Sequence, residues 1–270
     1  MKKIGIALGG GGARGLAHIR FLSVLDEMSV SPAIISGTSI GAIVGAFYAC
    51  GMEAKRIEEM LDKINLLDFS KMIDVNFFSN KGLLRGKAFE DFLEENLPIK
   101  KFEDLRIPLK IVATNFWKRE AVIFDSGDLI PAIRASISVP GVFSPVKIGD
   151  VILTDGGATN PVPFDIIQDD CDLNIAIDVS GMASPEDKDK IPNINQCVLT
   201  SFHIMEKAVV ENKLKMVKPD IFIKPKLYDI ELMEFHKYKE ILKSVEEDVN
   251  AMRQQLAKLL DKKNFFFGKK

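Results

Sequence analysis

Cysteine is scarce and unpaired in this sequence: Cys50, Cys171 and Cys197 are isolated thiols. They supply neither the even count of a disulfide framework nor the close pairs of a zinc site, so they read as reduced core residues. Long apolar runs are missing as well. The first one, inside MKKIGIALGG, ends at glycines well short of a signal-peptide core, and no later segment reaches the roughly 20 unbroken apolar residues that span a bilayer. A cytoplasmic protein is expected. An excess of one charge is also absent, since 36 Lys and Arg stand against 38 Asp and Glu. The net charge of -2 gives no general attraction to polyanions, and no nucleic-acid partner is expected.

What is present is ordinary globular material, with 47% hydrophobic and 27% charged residues in a chain of 270. Ile4 to Leu8 is a short apolar run that stops at four glycines, after which Leu16, Ile19, Leu22, Leu25 and Met28 recur at helical spacing. Ala33 to Ser36 and the small-residue stretch Ile40 to Cys50 repeat that strand, turn and helix pattern. Residues around Ile57 to Ile64 and Phe89 to Leu93 suit amphipathic helices, with SNKGLLRG a turn between them. Leu109 to Ala113, Ala121 to Phe124, Leu173 to Val179 and Ile221 to Ile223 suit strands, and Gly149-Asp150 joins Val146 to Ile148 and Val151 to Leu153 as a hairpin. From Glu231 to Leu260 the apolar positions are spaced for one long helix lying across the outside. The alternation implies an α/β fold with a mostly parallel sheet covered on both faces. No repeat or low-complexity linker divides the chain, so a single domain over 1–270 is expected, with a C-terminal helical part at about 194–262.

Gly37-Thr38-Ser39-Ile40-Gly41 fits G-x-S-x-G between a strand and a helix. In that setting a serine hydroxyl stands above the sheet and Gly37 and Gly41 remove side chains that would clash; the same letters also describe a serine that merely caps a helix. Gly9 to Gly15, GGGGARG, forms a nest of main-chain N-H groups that can hold an anion. One such anion is a cofactor pyrophosphate, because Gly10, Gly12 and Gly15 satisfy G-x-G-x-x-G. The ribose-binding acid expected at the end of the second strand is missing, and no Lys-Ser or Lys-Thr pair follows the glycines as a P-loop requires. The other is the oxyanion formed when a hydroxyl attacks an ester, held by Gly10, Gly11 and Gly12, with Arg14 orienting the loop or screening charge.

Histidine is as scarce as cysteine. His18, His203 and His236 all fall in helical stretches, where a structural role is the plainer reading. Asp155 is the better base candidate, delivered by Val151-Ile152-Leu153-Thr154 into the turn Asp155-Gly156-Gly157. In contact with Ser39 it would take the hydroxyl proton as attack proceeds.

Taken in order, the glycine loop Gly9 to Gly15, the Ser39 motif and Asp155-Gly156-Gly157 resemble the patatin-like phospholipases, and Ala135-Ser136-Ile137-Ser138-Val139-Pro140-Gly141 is similar to that family's site-lining block. The resemblance covers about residues 4–180. It implies a three-layer α/β/α fold and lipid acyl-ester hydrolysis by a Ser39 and Asp155 dyad. It also implies an oxyanion hole at Gly10, Gly11 and Gly12 and support from Arg14, Gly37, Gly41 and Gly156, with neither metal nor cofactor. A nucleotide-binding protein and a catalytically silent member of the same fold are the alternatives. An enzyme of this kind meets a lipid interface, for which Phe77-Phe78 and Phe265-Phe266-Phe267 with Lys269-Lys270 are candidates. The same phenylalanines also suit a local core, the body of the protein or a second copy in a homo-oligomer.

Overall fold

A computed structural model describes residues 2–63, 86–182 and 191–260. The SNKGLLRG turn up to Arg85, Phe77-Phe78 and the terminal Phe265-Phe266-Phe267 with Lys269 and Lys270 lie outside the described residues.

The strand β1 (Ile4–Leu8) is buried at all five positions, which its unbroken apolar run demands. It pairs in parallel with β2 (Ile34–Thr38) on one side and β7 (Leu173–Ile177) on the other. The parallel set continues outward to β3 (Leu109–Asn115) next to β2 and to β8 (Ile221–Ile223) next to β7. Beyond β3 the sheet turns antiparallel, with β4 (Glu120–Phe124), β5 (Val146–Ile148) and β6 (Val151–Asp155). Gly149 takes the left-handed φ of 57° that the β5–β6 turn requires.

Side-chain alternation along the strands divides the core. Ile6 and Leu8 face a layer containing α1 (His18–Glu27), α2 (Ile40–Ala49), α3 (Ala54–Lys63) and α4 (Lys87–Asn96). Ala7 and Ala176 face the other, made by the segment Asp165–Asp170 and the C-terminal half of α6 (Ile194–Met216). The result is a three-layer α/β/α body, and α5 (Leu129–Ser136) packs beside β3. No described helix is long and apolar enough to cross a membrane.

Two expectations need correction. The C-terminal stretch is not one long helix on the outside. It breaks into α7 (Tyr238–Ser244) and α8 (Glu246–Leu259), whose Ile241, Val245, Val249, Met252 and Leu256 are sealed into the main core. The break at Val245 lets α7 cover the glycine-rich segment Gly12–Ala17 while α8 packs on α1, two surfaces that one straight rod does not follow. The cysteines also differ from one another: Cys50 is buried, Cys171 half-buried, and Cys197 exposed on α6.

Candidate active site

The turn between β2 and α2 places Ser39 at φ 56° and ψ -124°, a strained conformation for a residue with a Cβ. It is reached because α2 lies directly on the backbone of β1. A Cβ at Gly41 would stand 2.0 Å from the Leu8 carbonyl oxygen, and one at Gly37 2.7 Å from the Ala42 nitrogen, so a larger residue at either would push the helix off. The strained turn is clamped from α5: the Ser39 N-H donates to the Ser136 hydroxyl at 2.8 Å, which donates to the Val112 carbonyl at 2.6 Å.

Strand register brings the acid to the same place. Val112 of β3 pairs with Thr38, and the next residue, Ala113, pairs with Asp155. Because β4 pairs with β3 across the whole span Ile111 to Asn115, β2 and β6 share the other edge of β3. Where β2 leaves that edge at Ser39, β6 arrives from the opposite direction and ends at Asp155. Gly156 allows this junction, since a Cβ there would meet the Val112 carbonyl at 2.3 Å. The Asp155 N-H donates to the Ser138 carbonyl at 3.0 Å, so the block from Ala135 to Gly141 fixes both residues.

Asp155 is 1% exposed. One oxygen, Oδ1, accepts the Gly157 N-H at 2.7 Å, while Oδ2 has no partner in normal hydrogen-bond geometry among the described residues. Burial, and then the charge of Glu206, push its pKa up to about 7; the Gly157 N-H and the nearby Ser39 hydroxyl pull the other way. Near neutrality such a carboxyl is matched to exchanging a proton.

The glycine loop is partly engaged already. The Gly10 N-H donates to the Pro161 carbonyl at 2.9 Å and the Ala13 N-H to the Leu232 carbonyl at 2.8 Å. Of the three glycines expected to form the oxyanion hole, Gly10 therefore has its N-H occupied. Gly11 and Gly12 have theirs unpaired among the described residues. Arg14 donates from Nε to the Gly11 carbonyl at 3.2 Å. In a trans peptide the N-H of the next residue points the opposite way, so this bond turns the Gly12 N-H away from Arg14. Gly12 and Ser39 line the same cleft, with Ile43 and Phe47 of α2, Met60 of α3 and Phe92 of α4. Apart from Ser39, the side chains on its wall are apolar.

The histidines divide as well. His18 is fully buried, with its pKa lowered to about 4 by burial, and its Nε2 donates to the Gly9 carbonyl at 2.8 Å. His236 is exposed. His203, read from sequence as structural, joins a chain that reaches the site from α6. Its Nδ1 is 2.7 Å from Glu206 Oε2 and its Nε2 3.4 Å from Arg14, and since arginine only donates, Nδ1 carries the proton. Glu206 stands against the turn that holds Asp155, because a Cβ at Gly157 would lie 1.9 Å from Glu206 Oε1. Glu206 gave no signal in the sequence: an acid one helical turn from a histidine on a surface helix is commonplace. Among the described residues no three His, Cys, Asp or Glu side chains gather into a metal-binding group.

A family model described as patatin-like phospholipase matches residues 6–167. An uncharacterized NTE family protein of Mycobacterium tuberculosis is 34% identical over 196 residues, covering 71% of this chain and 53% of that protein. Lysophospholipase NTE1 of Kluyveromyces lactis is 25% identical over 265 residues, covering 88% of this chain and 18% of that protein. The chain thus spans about half the length of the mycobacterial relative. VipD from Legionella pneumophila shares the fold, with a TM-score of 0.52, 14% identity, and 94% of this chain and 67% of that one covered. Matched by the family model over more than half its length, the chain belongs to the patatin-like phospholipases.

Proposed function

We propose that the protein hydrolyses acyl esters of lipids, with Ser39 as nucleophile and Asp155 as the general base that serves it. Ser39 Oγ attacks the ester carbonyl while the Asp155 carboxylate takes the hydroxyl proton. The oxyanion is held by the Gly11 and Gly12 N-H groups, and donors of this kind are worth about 3 kcal/mol each when preorganised. Collapse of the intermediate expels the alcohol, which leaves with the proton from Asp155. Water then attacks the acyl-serine; Asp155 takes its proton and returns one to Ser39 as the fatty acid departs.

The observation that carries this reading is the junction on the edge of β3, where the strained Ser39 and the unpartnered Asp155 oxygen come together at an apolar cleft. A wall of apolar side chains suits an acyl chain and brings no Lys or Arg to a nucleotide phosphate, which argues against the dinucleotide alternative. The lysophospholipase among the relatives makes a single-chain phospholipid the first physiological class to assay.

Hydrolysis of p-nitrophenyl butyrate by wild type, Ser39→Ala and Asp155→Asn is the direct test, with circular dichroism to confirm folding. Both variants are expected to lose at least about a thousandfold in kcat/KM. Full turnover in folded Asp155→Asn would exclude Asp155 as the base, and absence of turnover in wild type on every ester would leave a catalytically silent member of the family.

A further inference from the structure

The sheet register sets the height of one hairpin. Val112 pairs with Thr38, so β3 runs three residues further, about 10 Å, past the level of the Ser39 turn before it reverses. The turn at residues 116–119 is firmly built. Lys118 N-H donates to the Asn115 side-chain oxygen at 3.1 Å, Arg119 N-H to the Asn115 carbonyl at 2.8 Å, and Phe116 N-H to the Ile152 carbonyl of β6 at 2.9 Å. Arg119 holds a left-handed φ of 59° to close it.

This well-held turn directs its largest side chains into solvent. Trp117, the sole tryptophan of the sequence, is 75% exposed and Phe116 49%, their rings edge to face with centroids 4.9 Å apart. Lys118 and Arg119 follow them directly, and Lys147, in register with Ile152, stands on the neighbouring hairpin. The local carboxylates are Glu120, 3.7 Å from Lys118, and Asp150, 3.9 Å from Lys147, both on exposed side chains. Such loose surface pairs contribute little, leaving the cations free to meet phosphate.

Aromatic rings bordered by Lys and Arg suit the boundary between acyl chains and headgroups, where the rings are half dehydrated and the cations reach the phosphates. We propose that the tip of the β3–β4 hairpin, Phe116 to Arg119, seats the protein on an anionic lipid surface, an inference that rests on the reading of the chain as a lipid hydrolase. The strand it extends carries Ser39 and Asp155 on its edge, so docking there holds the catalytic end of the sheet toward the lipid.

Trp117 is its own reporter. With vesicles of phosphatidylcholine and phosphatidylglycerol, the full chain is expected to show blue-shifted emission and protection from acrylamide, both reversed by salt and weaker on phosphatidylcholine alone. The double variant Phe116→Ala, Trp117→Ala is expected to cosediment with these vesicles at least about tenfold more weakly, with p-nitrophenyl butyrate turnover unchanged. Unaltered cosedimentation of that variant, or no change in Trp117 emission with anionic vesicles, overturns the docking assignment. So does Trp117 protection that follows protein concentration without vesicles, which points to a second copy paired along the edge of β4 that no described strand covers. The soluble ester reports hydrolysis and Trp117 reports docking, so failure of either idea is seen separately.

Discussion

Asp155 holds one oxygen on the Gly157 N-H and keeps the other unpartnered beside Ser39, in a place where burial and Glu206 both favour its protonated form. As a base it must be ionised, so kcat/KM is expected to rise with pH through about 7. Glu206→Gln removes a negative charge that favours the protonated form, and its rising limb is expected at lower pH than in wild type. A limb at an unchanged pH would show that the Glu206 charge does not reach the reacting carboxyl. Ser39 and Asp155, the pair proposed here, stand out in the sequence because each sits in a short motif between a strand and a turn, where local spacing acts. Glu206, His203 and the engagement of Gly10 by Pro161 do not, since each depends on segments that meet only in the folded chain.

At the scale of elements, the site is a gap in an edge. β2 and β6 approach β3 from opposite directions, and α5 supplies the Ser136 hydroxyl that holds the strained turn. Ser136→Ala strips the Ser39 N-H and the Val112 carbonyl of one partner each, in a buried place. It is expected to destabilise the protein by about 1–3 kcal/mol and to lower kcat through a misplaced nucleophile. Urea melts with the soluble-ester assay check both, and wild-type values for each would mean that the clamp is idle. The strands and the first helices were readable from apolar runs and glycine stops. The division of the C-terminal stretch into α7 and α8 was not, because apolar spacing continues across Val245 and the bend is set by which surfaces each half covers.

For the molecule as a whole, two fully buried groups pull stability in opposite directions with pH. His18 falls from its ordinary 6.5 to about 4, so the unfolded chain takes up a proton that the native state refuses, and stability is lost as pH falls across that window. Asp155 rises from 3.8 to about 7; the unfolded chain releases a proton that the native state retains, and stability is lost as pH rises across that window. The effects are on the order of 3 and 4 kcal/mol, and between pH 4 and 6.5, where both windows overlap, their opposite slopes nearly cancel. Asp155→Asn removes one arm. It is expected to be more stable than wild type above pH 7 and to lose stability on acidification from 6.5 to 4, as His18 acts alone. Urea unfolding at pH 4.5, 6 and 8 measures this, and parallel curves for the two proteins would refute it.

By itself, the sequence determined the alternation of strand and helix, the placement of a serine and an acid in turns at strand ends, and the glycine loop before the first helix. Those features are encoded by neighbours within a few residues, where backbone sterics and side-chain periodicity act. Only the tertiary structure decided that the serine and the acid share one edge of β3, that the Gly11 and Gly12 N-H groups are unpaired among the described residues, and that an acid from α6 stands beside the proposed base. It also raised Trp117 above the end of the sheet where Ser39 and Asp155 lie. Each of these outcomes is set by strand register and by burial, which arise when distant segments pack and which no local pattern records.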